Sequence, residues 1–402
     1  MEPTKYLVTG GAGFIGANFV KYLLKTHGDN VRIMVLDALT YAGNMLTIKD
    51  DIEKRGVEFV RGDIADRALV EKIIADFDPD YIVNFAAESH VDRSIENPRL
   101  FLETNILGTQ NMLDCARRAW LTGKDAQGRP TYREGKRFLQ ISTDEVYGSL
   151  PRTPGEPRPL VLNEEVASVA KGRTDLQTFG EGFFTEDNPV QPRSPYSASK
   201  TSADHLTLAY HETYGMPVCI TRCSNNYGPY QFPEKLIPLV IKNILEGRKL
   251  PVYGKGENVR DWLYVDDHCK GIDMVLRRGR LGEVYNIGGF NEQENITIVK
   301  SIISLVRKLM QENPAYRSLL KIPVEDINEE LITYVADRPG HDMRYAIDPE
   351  KIATELGWYP ETSFPVGIEK TVRWYLDNPD WVESVTSGAY LEYYHQMYDN
   401  RG

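Results

Sequence analysis

The chain begins with a short apolar strand that runs directly into a glycine-rich turn and then into a helix. Residues 6–8 form the apolar run, Gly10, Gly13 and Gly16 follow, and apolar residues recur at helical spacing from Phe14 onward. This spacing is one residue looser than the GxGxxG fingerprint, but the order strand, glycine turn, helix is the context that gives such a pattern meaning. The glycines let the amides of the helix N-terminus approach a diphosphate. The stretch therefore predicts a dinucleotide site at the start of a parallel sheet.

An acidic residue stands where this type of site needs one. A second apolar run, residues 32–36, ends at Asp37, roughly 20 residues beyond Gly16. A carboxylate at that point accepts hydrogen bonds from a ribose 2′-hydroxyl and repels a 2′-phosphate. We therefore expect NAD and not NADP; the alternative is an aspartate that only ends a strand.

Apolar strands and helices then alternate along the chain. Further strands are expected at residues 58–60, 81–85, 138–141 and 218–222, with helices at 68–77, 105–120 and 196–214. This order predicts an α/β fold: a Rossmann-type doubly wound parallel sheet, whose ligands bind outside the carboxyl ends of the strands. We place this domain at residues 1–223, with an insertion at 149–193, and a smaller C-terminal α/β substrate domain at 224–402, part of which returns to the sheet.

Two polar motifs lie close to those strand ends. Tyr196 and Lys200 are four residues apart, so they share one face of a helix that Pro195 is suited to begin. A phenol beside an ammonium loses its proton more readily, which suits a base that oxidises an alcohol. By chance alone, however, this pair is common on ordinary surface helices.

The second motif follows the strand at residues 138–141. Ser142 or Thr143 could donate a hydrogen bond to the same substrate oxygen as the phenol, and Asp144 and Glu145 come next. Two carboxyls in different environments can serve as an acid and a base at neutral pH, which is what elimination of water beside a ketone requires. The alternative is a pair of helix caps or surface charges.

Composition narrows the classes of partner. The 402 residues carry a net charge of −11, which argues against nucleic acids and anionic membranes, and no apolar run reaches the length of a membrane span. The four cysteines form no CxxC pair and the seven histidines no HxH or HExxH spacing, so we expect neither a disulfide framework nor a metal. The residues before the first strand lack a signal peptide's apolar stretch, and we expect a cytoplasmic protein.

At this point the sequence resembles the dTDP-glucose 4,6-dehydratases of the extended short-chain dehydrogenase/reductase superfamily. The resemblance runs from about residue 4 to 376. The motifs that carry it are residues 9–16 (TGGAGFIG), 86–94 (AAESHVDRS), 142–148 (STDEVYG), 196–200 (YSASK), 224–230 (SNNYGPY), 232–236 (FPEKL), 260–262 (RDW) and 337–342 (DRPGHD). The first and fourth are shared across the superfamily, whereas the Thr-Asp-Glu and Asp-Arg-Pro-Gly-His-Asp motifs are far more selective.

The resemblance implies a lyase that acts on dTDP-glucose with tightly bound NAD, which is regenerated in each turnover. Tyr196, assisted by Thr143 and Lys200, would take the 4-hydroxyl proton as C4 is oxidised. Glu145 would remove the C5 proton, Asp144 would protonate the leaving 6-hydroxyl, and hydride return to C6 would give the 4-keto-6-deoxy sugar of the dTDP-rhamnose route.

The resemblance also implies two sets of binding residues. Around NAD it implies, together with the glycine turn, Gly10, Gly13, Phe14, Ile15, Gly16, Asp37, Thr40, Asp63, Ile64, Ala86, Ala87, Ser89, Thr104, Tyr196, Lys200 and Asn226. Around the sugar nucleotide it implies His90, Thr143, Asn225, Lys235, Leu236, Pro251, Tyr253, Arg260, Asn295, Arg338 and His341. An arginine among them suits a diphosphate, because a guanidinium pairs bidentately with phosphate oxygens.

Several alternatives stay open. A sugar-nucleotide 4-epimerase or decarboxylase shares the glycine turn, Tyr196 and Lys200 but lacks the Asp144–Glu145 pair; CDP- or UDP-glucose could replace dTDP-glucose; a non-catalytic NAD-binding protein could keep the fold alone. The resemblance implies a homodimer paired through the helices at 105–120 and 196–214, whose apolar residues would equally suit an internal core. The stretch 149–193 is longer than expected for the family, and we interpret it as a lid, a mobile loop or a solvated excursion near the substrate.

Overall fold

Parallel strands form the centre of the molecule. The computed structural model describes residues 2–152, 156, 158–176, 182–337 and 340–386. Its strands are β1 (Thr4–Thr9), β2 (Val31–Asp37), β3 (Glu58–Arg61), β4 (Tyr81–Asn84), β5 (Leu121–Lys124), β6 (Pro130–Tyr132), β7 (Arg137–Thr143), β8 (Val218–Cys223), β9 (Asn225–Tyr227), β10 (Leu250–Tyr253), β11 (Val259–Tyr264), β12 (Val284–Ile287), β13 (Glu292–Glu294) and β14 (Ile332–Val335).

Helices cover the strands on both faces. They are α1 (Phe14–His27), α2 (Met45–Arg55), α3 (Arg67–Phe77), α4 (Val91–Glu96), α5 (Pro98–Phe101), α6 (Thr109–Trp120), α7 (Glu164–Val169), α8 (Pro195–Tyr214), α9 (Leu236–Glu246), α10 (Val265–Arg278), α11 (Asn295–Glu312), α12 (Glu350–Leu356), α13 (Phe364–Asp377) and α14 (Pro379–Thr386). Short 3₁₀ turns occupy Gly28–Asn30, Asp144–Tyr147, Pro314–Leu319, Val324–Asp326 and Glu329–Leu331, and a π-helix occupies Leu102–Gly108.

Seven strands form one sheet in the order β12-β8-β7-β4-β1-β2-β3, and every neighbouring pair is parallel. The chain reverses its winding between β1 and β4, and a crevice for a ligand opens at such a switch point. Side chains alternate across the strands: Tyr6 and Val8 face a core shared with α1, α10 and α12, whereas Leu7 faces a core shared with α3 and α6. The predicted α/β class and doubly wound parallel sheet are confirmed.

The C-terminal half builds a second core of its own. Helices α9, α11 and α13 pack around Trp262 and Tyr264, beside the small sheet β13-β11-β9 and the pair β10-β14. The strand β12 nevertheless lies at the edge of the seven-stranded sheet, paired with β8. The division of the chain at residue 223 stays a prediction.

The described part of the insertion 149–193 packs along the segment that follows residue 340. The amide of Leu150 donates to the carbonyl of Arg344 at 3.0 Å, and the amide of Phe184 donates to the carbonyl of Ala346 at 2.9 Å. Arg158 forms ion pairs with Asp348 and with Glu350, the first residue of α12. These contacts make the insertion a brace for a segment that borders the candidate site.

Candidate active site

Main-chain atoms fill the space around the glycine turn between β1 and α1. Gly10 has a φ of +67°, and a Cβ placed there would lie 2.8 Å from the backbone nitrogen of Ala86. A Cβ on Gly16 would lie 2.3 Å from the carbonyl oxygen of Gly10. Any side chain at either position would collide with main-chain atoms, which have little room to move. The turn therefore brings the N-terminus of α1 close to the switch point, as a dinucleotide diphosphate needs.

Asp37 ends β2 beside this turn. Its carboxylate accepts hydrogen bonds from the amides of Ala12 at 2.9 Å and Leu39 at 2.7 Å, while burial raises its pKa above the usual value. A carboxylate has about four lone-pair positions, so these two bonds leave acceptor capacity for ribose hydroxyls. Asp37 both braces the turn and offers the acceptor that the sequence predicts there.

A single cavity runs along the carboxyl ends of β1, β4, β7 and β8. It brings together every residue that the sequence analysis assigned to cofactor binding or catalysis: Gly10, Gly13, Phe14, Ile15, Gly16, Asp37, Thr40, Asp63, Ile64, Ala86, Ala87, Ser89, Thr104, Thr143, Asp144, Glu145, Tyr196, Lys200 and Asn226. We call it the cofactor cavity. Thr104 reaches it from the π-helix, a type of distortion that often occurs at functional sites.

Helix α8 places Tyr196 and Lys200 in this cavity. Its first turn is fixed by a capping box, in which the Ser194 side chain accepts from the Ser197 amide and the Ser197 hydroxyl binds the Ser194 amide, with Pro195 between them. Tyr196 and Lys200 are both buried. The ammonium of Lys200 donates to the carbonyl oxygen of Ile141 on β7 at 2.7 Å, so the helix is tied to the neighbouring strand.

The electrostatics around Tyr196 differ from the sequence interpretation. Burial, followed by the negative charge of Glu145, raises the pKa of the Tyr196 phenol well above its usual value, and a hydrogen bond with Thr143 opposes that rise. Burial also lowers the pKa of Lys200. The Lys200 ammonium turns to Ile141 and the Glu145 side chain lies near the phenol, so the interpretation that Lys200 lowers the pKa of Tyr196 stays a prediction.

The carboxyl pair lies where β7 ends in a 3₁₀ turn. The Thr143 hydroxyl caps this turn by accepting from the Glu145 amide at 3.3 Å, and it donates to Oδ1 of Asp144 at 3.3 Å. Asp144 is buried, and within the described part of the chain its Oδ2 has no hydrogen-bond partner. Burial first, then the nearby charges of Glu145 and Asp261, raise the pKa of Asp144 well above its usual value. Burial thus favours the protonated form of Asp144, which lies beside the less buried Glu145.

A second cavity adjoins the first on the C-terminal side, and we call it the substrate cavity. It brings together nine of the predicted substrate residues: His90, Asn225, Lys235, Leu236, Pro251, Tyr253, Arg260, Asn295 and His341. The remaining two are Thr143, which lines the cofactor cavity, and Arg338, which lies outside the described residues. Among the residues that line both cavities is Glu145, so the carboxyl pair stands at their junction.

Side chains from distant parts of the chain shape the substrate cavity. The buried Arg260 donates to the carbonyls of Val259 at 2.7 Å and Asp342 at 2.9 Å, with its guanidinium 4.3 Å from the centre of the Tyr345 ring. The Tyr253 hydroxyl donates to a carboxylate oxygen of Asp92 at 3.2 Å, joining β10 to α4. The cavity therefore depends on contacts between the two halves of the molecule.

The model of the NAD dependent epimerase/dehydratase family matches residues 6–288, from the glycine turn through the edge strand β12. The chain belongs to this family. The match includes the turn, the carboxyl pair and the Tyr196–Lys200 helix, which together line the cofactor cavity.

Named members of the family are similar over nearly the whole chain. The dTDP-glucose 4,6-dehydratase of Shigella flexneri is 47% identical over 397 residues, which cover 99% of both chains. The enzyme of that name from Xanthomonas campestris pv. campestris (strain B100) is 49% identical over 385 residues, 96% of this chain and 97% of the other. The dTDP-glucose 4,6-dehydratase DesIV of Streptomyces venezuelae, solved with NAD and dTDP bound, superposes with a TM-score of 0.76 at 42% identity, covering 95% of this chain and 100% of that one.

These matches also bear on the insertion. Because the Shigella flexneri enzyme aligns over 99% of both chains, the stretch 149–193 is not a large addition that sets this family member apart. Its contacts with residues 344–348 give it a bracing role that a relative of equal length can share.

The structure adds residues that the sequence analysis left out of this family site. Trp262, Glu234 and Tyr345 line the substrate cavity, and Tyr41 and Glu88 line the cofactor cavity. Trp262 and Glu234 stand inside motifs that were recognised, so the signal was present for them. Tyr345 lies beyond the last recognised motif, and only the folded chain brings it to Arg260.

The described residues include no candidate for a metal centre or for a membrane span. They contain no group of three or more His, Cys, Asp or Glu side chains placed to hold a metal ion. They likewise contain no helix that is long and apolar enough to cross a membrane.

Proposed function

We propose that this chain converts dTDP-glucose into dTDP-4-keto-6-deoxyglucose with a bound NAD. The observation that carries the proposal is the position of Glu145 and Asp144, a carboxylate and a buried acid, at the junction of two cavities and beside Tyr196. An epimerase needs the tyrosine and the cofactor but has no use for this pair. Relatives named for the dehydratase activity, at 47% and 49% identity over nearly the whole chain, support the same assignment.

The residues of the cofactor cavity fit NAD. The turn at Gly10 and Gly16 leaves no space for a side chain, so the α1 amides are available to the diphosphate, and Asp37 is available to a ribose 2′-hydroxyl. We assign the remaining cofactor residues named above to the same cavity. When bound there, NAD supplies a reversible oxidation, accepting hydride from C4 of the sugar and giving it to C6.

Tyr196 and Thr143 act on the 4-hydroxyl. The phenol takes the hydroxyl proton, and Thr143 donates a hydrogen bond to the same oxygen, while Lys200 fixes the cofactor side of the site through its tie to β7. Burial and Glu145 raise the pKa of Tyr196, and the positive charge of NAD+, if held in the cofactor cavity, would oppose that rise and favour the phenolate.

Glu145 and Asp144 then remove water from the ketone. The carbonyl at C4 acidifies the C5–H, and the Glu145 carboxylate takes that proton. Asp144, whose protonated form burial favours, gives its proton to the 6-hydroxyl as the C6–O bond breaks, which leaves a double bond between C5 and C6. Return of hydride to C6 and of a proton to C5 yields the 6-methyl group. The atoms balance as the loss of one water.

The substrate cavity holds the nucleotide part. Arg260 is anchored by the carbonyls of Val259 and Asp342 and lines the substrate cavity, where its planar guanidinium is suited to diphosphate oxygens. Lys235, whose ammonium donates to the carbonyl of Ser89 at 3.2 Å, adds a second cation at the boundary of the two cavities. We assign the other substrate residues, including Arg338, to this side on the family resemblance.

We propose further that the protein is a cytoplasmic homodimer that supplies a dTDP-rhamnose route. Apolar side chains are exposed in the segment that precedes α6: Ile95, Leu100, Leu102 and Leu107, the last with 58% of its surface accessible. A second copy of the same surface would cover them. All four cysteines are unpaired, as a reducing compartment requires. Light scattering of the purified protein measures the oligomeric state directly.

The deciding experiment is incubation of the purified protein with dTDP-glucose in D₂O without added cofactor, followed by mass spectrometry and NMR. We expect loss of one water, a new 6-methyl group, and deuterium at C5, because Glu145 exchanges its proton with solvent. That outcome also shows that NAD travels with the protein.

Other outcomes of that experiment identify the alternatives. Unchanged mass with a galactose-configured sugar would identify a 4-epimerase. Turnover of CDP- or UDP-glucose in preference to dTDP-glucose would change the assigned substrate. No reaction with any of the three, even after NAD is added, would overturn the proposal.

A further inference from the structure

One buried histidine contacts a residue that lines the cofactor cavity without lining the cavity itself. His268 lies on α10, and none of its surface is exposed to solvent. Its Nδ1 lies 2.9 Å from the side-chain oxygen of Asn226, a residue that lines the cofactor cavity. No motif in the sequence pointed to His268, and none of the chemical steps proposed above uses it.

Neighbouring groups determine which atom donates and which accepts in the hydrogen bond between His268 and Asn226. The side-chain nitrogen of Asn226 donates to the carbonyl oxygen of Ser224 at 3.0 Å, which fixes the amide with its oxygen toward His268. A carboxamide oxygen only accepts, so Nδ1 of His268 must carry the hydrogen. Burial lowers the pKa of His268 to about 3, so the ring is neutral and Nε2 carries no hydrogen. Nε2 has no hydrogen-bond partner in the ranges that the structure describes.

Asn226 is therefore held from several sides. Its main-chain oxygen accepts from the side-chain amide of Gln231 at 2.9 Å, and its strand β9 pairs with β11. With the side-chain oxygen bound to His268 and one amide hydrogen bound to Ser224, the carboxamide keeps one N–H to offer. Without His268, the side-chain oxygen of Asn226 would lose its donor, and the bond to the Ser224 carbonyl alone would hold the carboxamide.

We propose that His268 is a positioning residue for the cofactor: it fixes the Asn226 carboxamide so that this group presents an N–H donor to bound NAD. The proposal rests on the cofactor assignment made above. A packing role does not explain the residue, since the neighbouring buried positions Ile272 and Val275 on α10 are filled by apolar side chains. A buried imidazole with an unpartnered nitrogen is costly unless its other nitrogen is used.

The test compares two substitutions that differ in one hydrogen bond. His268→Leu removes the donor, whereas His268→Asn retains an N–H close to the position of Nδ1. After removal of the cofactor, the dissociation constant for NAD is measured by calorimetry, together with the NAD content of the protein as purified. We expect about a tenfold weaker NAD binding for His268→Leu and no more than about a threefold change for His268→Asn.

A matched control separates positioning from general destabilisation. Val275→Ala truncates a fully buried side chain on the same helix and removes no polar contact. It should lower the melting temperature and leave NAD binding unchanged. The inference is overturned if His268→Leu binds NAD like the parent, if His268→Asn is as weak as His268→Leu, or if Val275→Ala weakens NAD equally.

The parent protein allows a second measurement that needs no variant. In ¹⁵N-histidine-labelled protein, His268 should show the Nδ1–H tautomer, should not titrate between about pH 5 and 9, and should shift when NAD is added. An Nε2–H tautomer, or no response to NAD, would overturn the inference. Failure of the parent itself to bind NAD would instead overturn the proposed function, so the two failures are distinguishable.

Discussion

The two cavities of this site are built in different ways. The cofactor cavity is lined mainly by strand ends and by a turn in which main-chain atoms leave no space, as at Gly10 and Gly16. The substrate cavity is formed by charged and aromatic side chains that meet across long sequence distances, such as Tyr253 with Asp92 and Arg260 with Tyr345. Backbone has few ways to relax, whereas side chains adjust. We therefore expect changes in the first cavity to be all-or-none and changes in the second to be graded.

The largest effect is expected in the glycine turn. Gly16→Ala puts a Cβ 2.3 Å from the carbonyl oxygen of Gly10, so either the turn opens or α1 moves away. We expect loss of NAD from the purified protein and an activity lower by roughly 1,000-fold or more, since all of the chemistry depends on the cofactor. Absorbance and mass analysis of the released nucleotide measure NAD directly.

The control lies at the other end of the same helix. Gly28 has a φ of +55°, and among the described residues nothing lies within 4 Å of the Cβ that Gly28→Ala adds. Its cost is backbone strain alone, so stability should fall while NAD content stays at the parent level. Equal retention of NAD by Gly16→Ala would mean that the turn tolerates rearrangement, and the contrast between the cavities would fail.

The next effect concerns the junction of the cavities. Glu145→Gln removes the base for C5 but leaves the glycine turn and Tyr196 intact, so we expect normal NAD content with turnover lower by about 10²- to 10⁴-fold. Reaction in D₂O should show no deuterium at C5, and a 4-keto sugar that still carries its 6-hydroxyl should be the species recovered. The exposed residue Glu165 serves as the control, and Glu165→Gln should behave like the parent.

Unchanged turnover in Glu145→Gln would show that Glu145 is not the base that removes the C5 proton. A variant that also loses NAD would show that Glu145 supports the cofactor cavity, so the two cavities would not be separable at their junction.

The two cavities also differ in how far the sequence alone predicted their residues. The glycine turn, Asp37 and the strand ends depend on short-range spacing, and the sequence predicted their places in the cofactor cavity. The substrate residues came from family resemblance alone, because the contact of Tyr253 with Asp92 or of Arg260 with Tyr345 has no local signature. The partner of Lys200 was missed for the same reason: a helix position shows which face a side chain takes, but not which carbonyl it meets.

A graded effect is expected in the substrate cavity. Arg260→Lys keeps the charge but loses the planar guanidinium that spans the carbonyls of Val259 and Asp342 and lies against Tyr345. We expect KM for dTDP-glucose to rise by about 10-fold, a smaller change in kcat, and unchanged NAD content. Arg99→Lys, at a side chain that is 85% exposed, is the matched control and should leave KM at the parent value. A loss of NAD in Arg260→Lys would contradict the separation of the two cavities.

The smallest effect is on stability, and its sign depends on pH. Burial raises the pKa of Asp144 in the folded protein above its usual value of 3.8, so the protonated form favours folding. That contribution is complete below about pH 4 and is lost as the pH rises through the folded-state pKa. Asparagine never ionises; therefore Asp144→Asn should match the parent in acid and exceed it at alkaline pH, by roughly 1–3 °C in Tm.

Thermal unfolding from pH 5.5 to 8.5 measures the trend, with the exposed Asp29→Asn as a control that should show none. A difference that stays constant from pH 5.5 to 8.5 would mean that Asp144 is already ionised in the folded protein, and the acid for the 6-hydroxyl would have to be sought elsewhere.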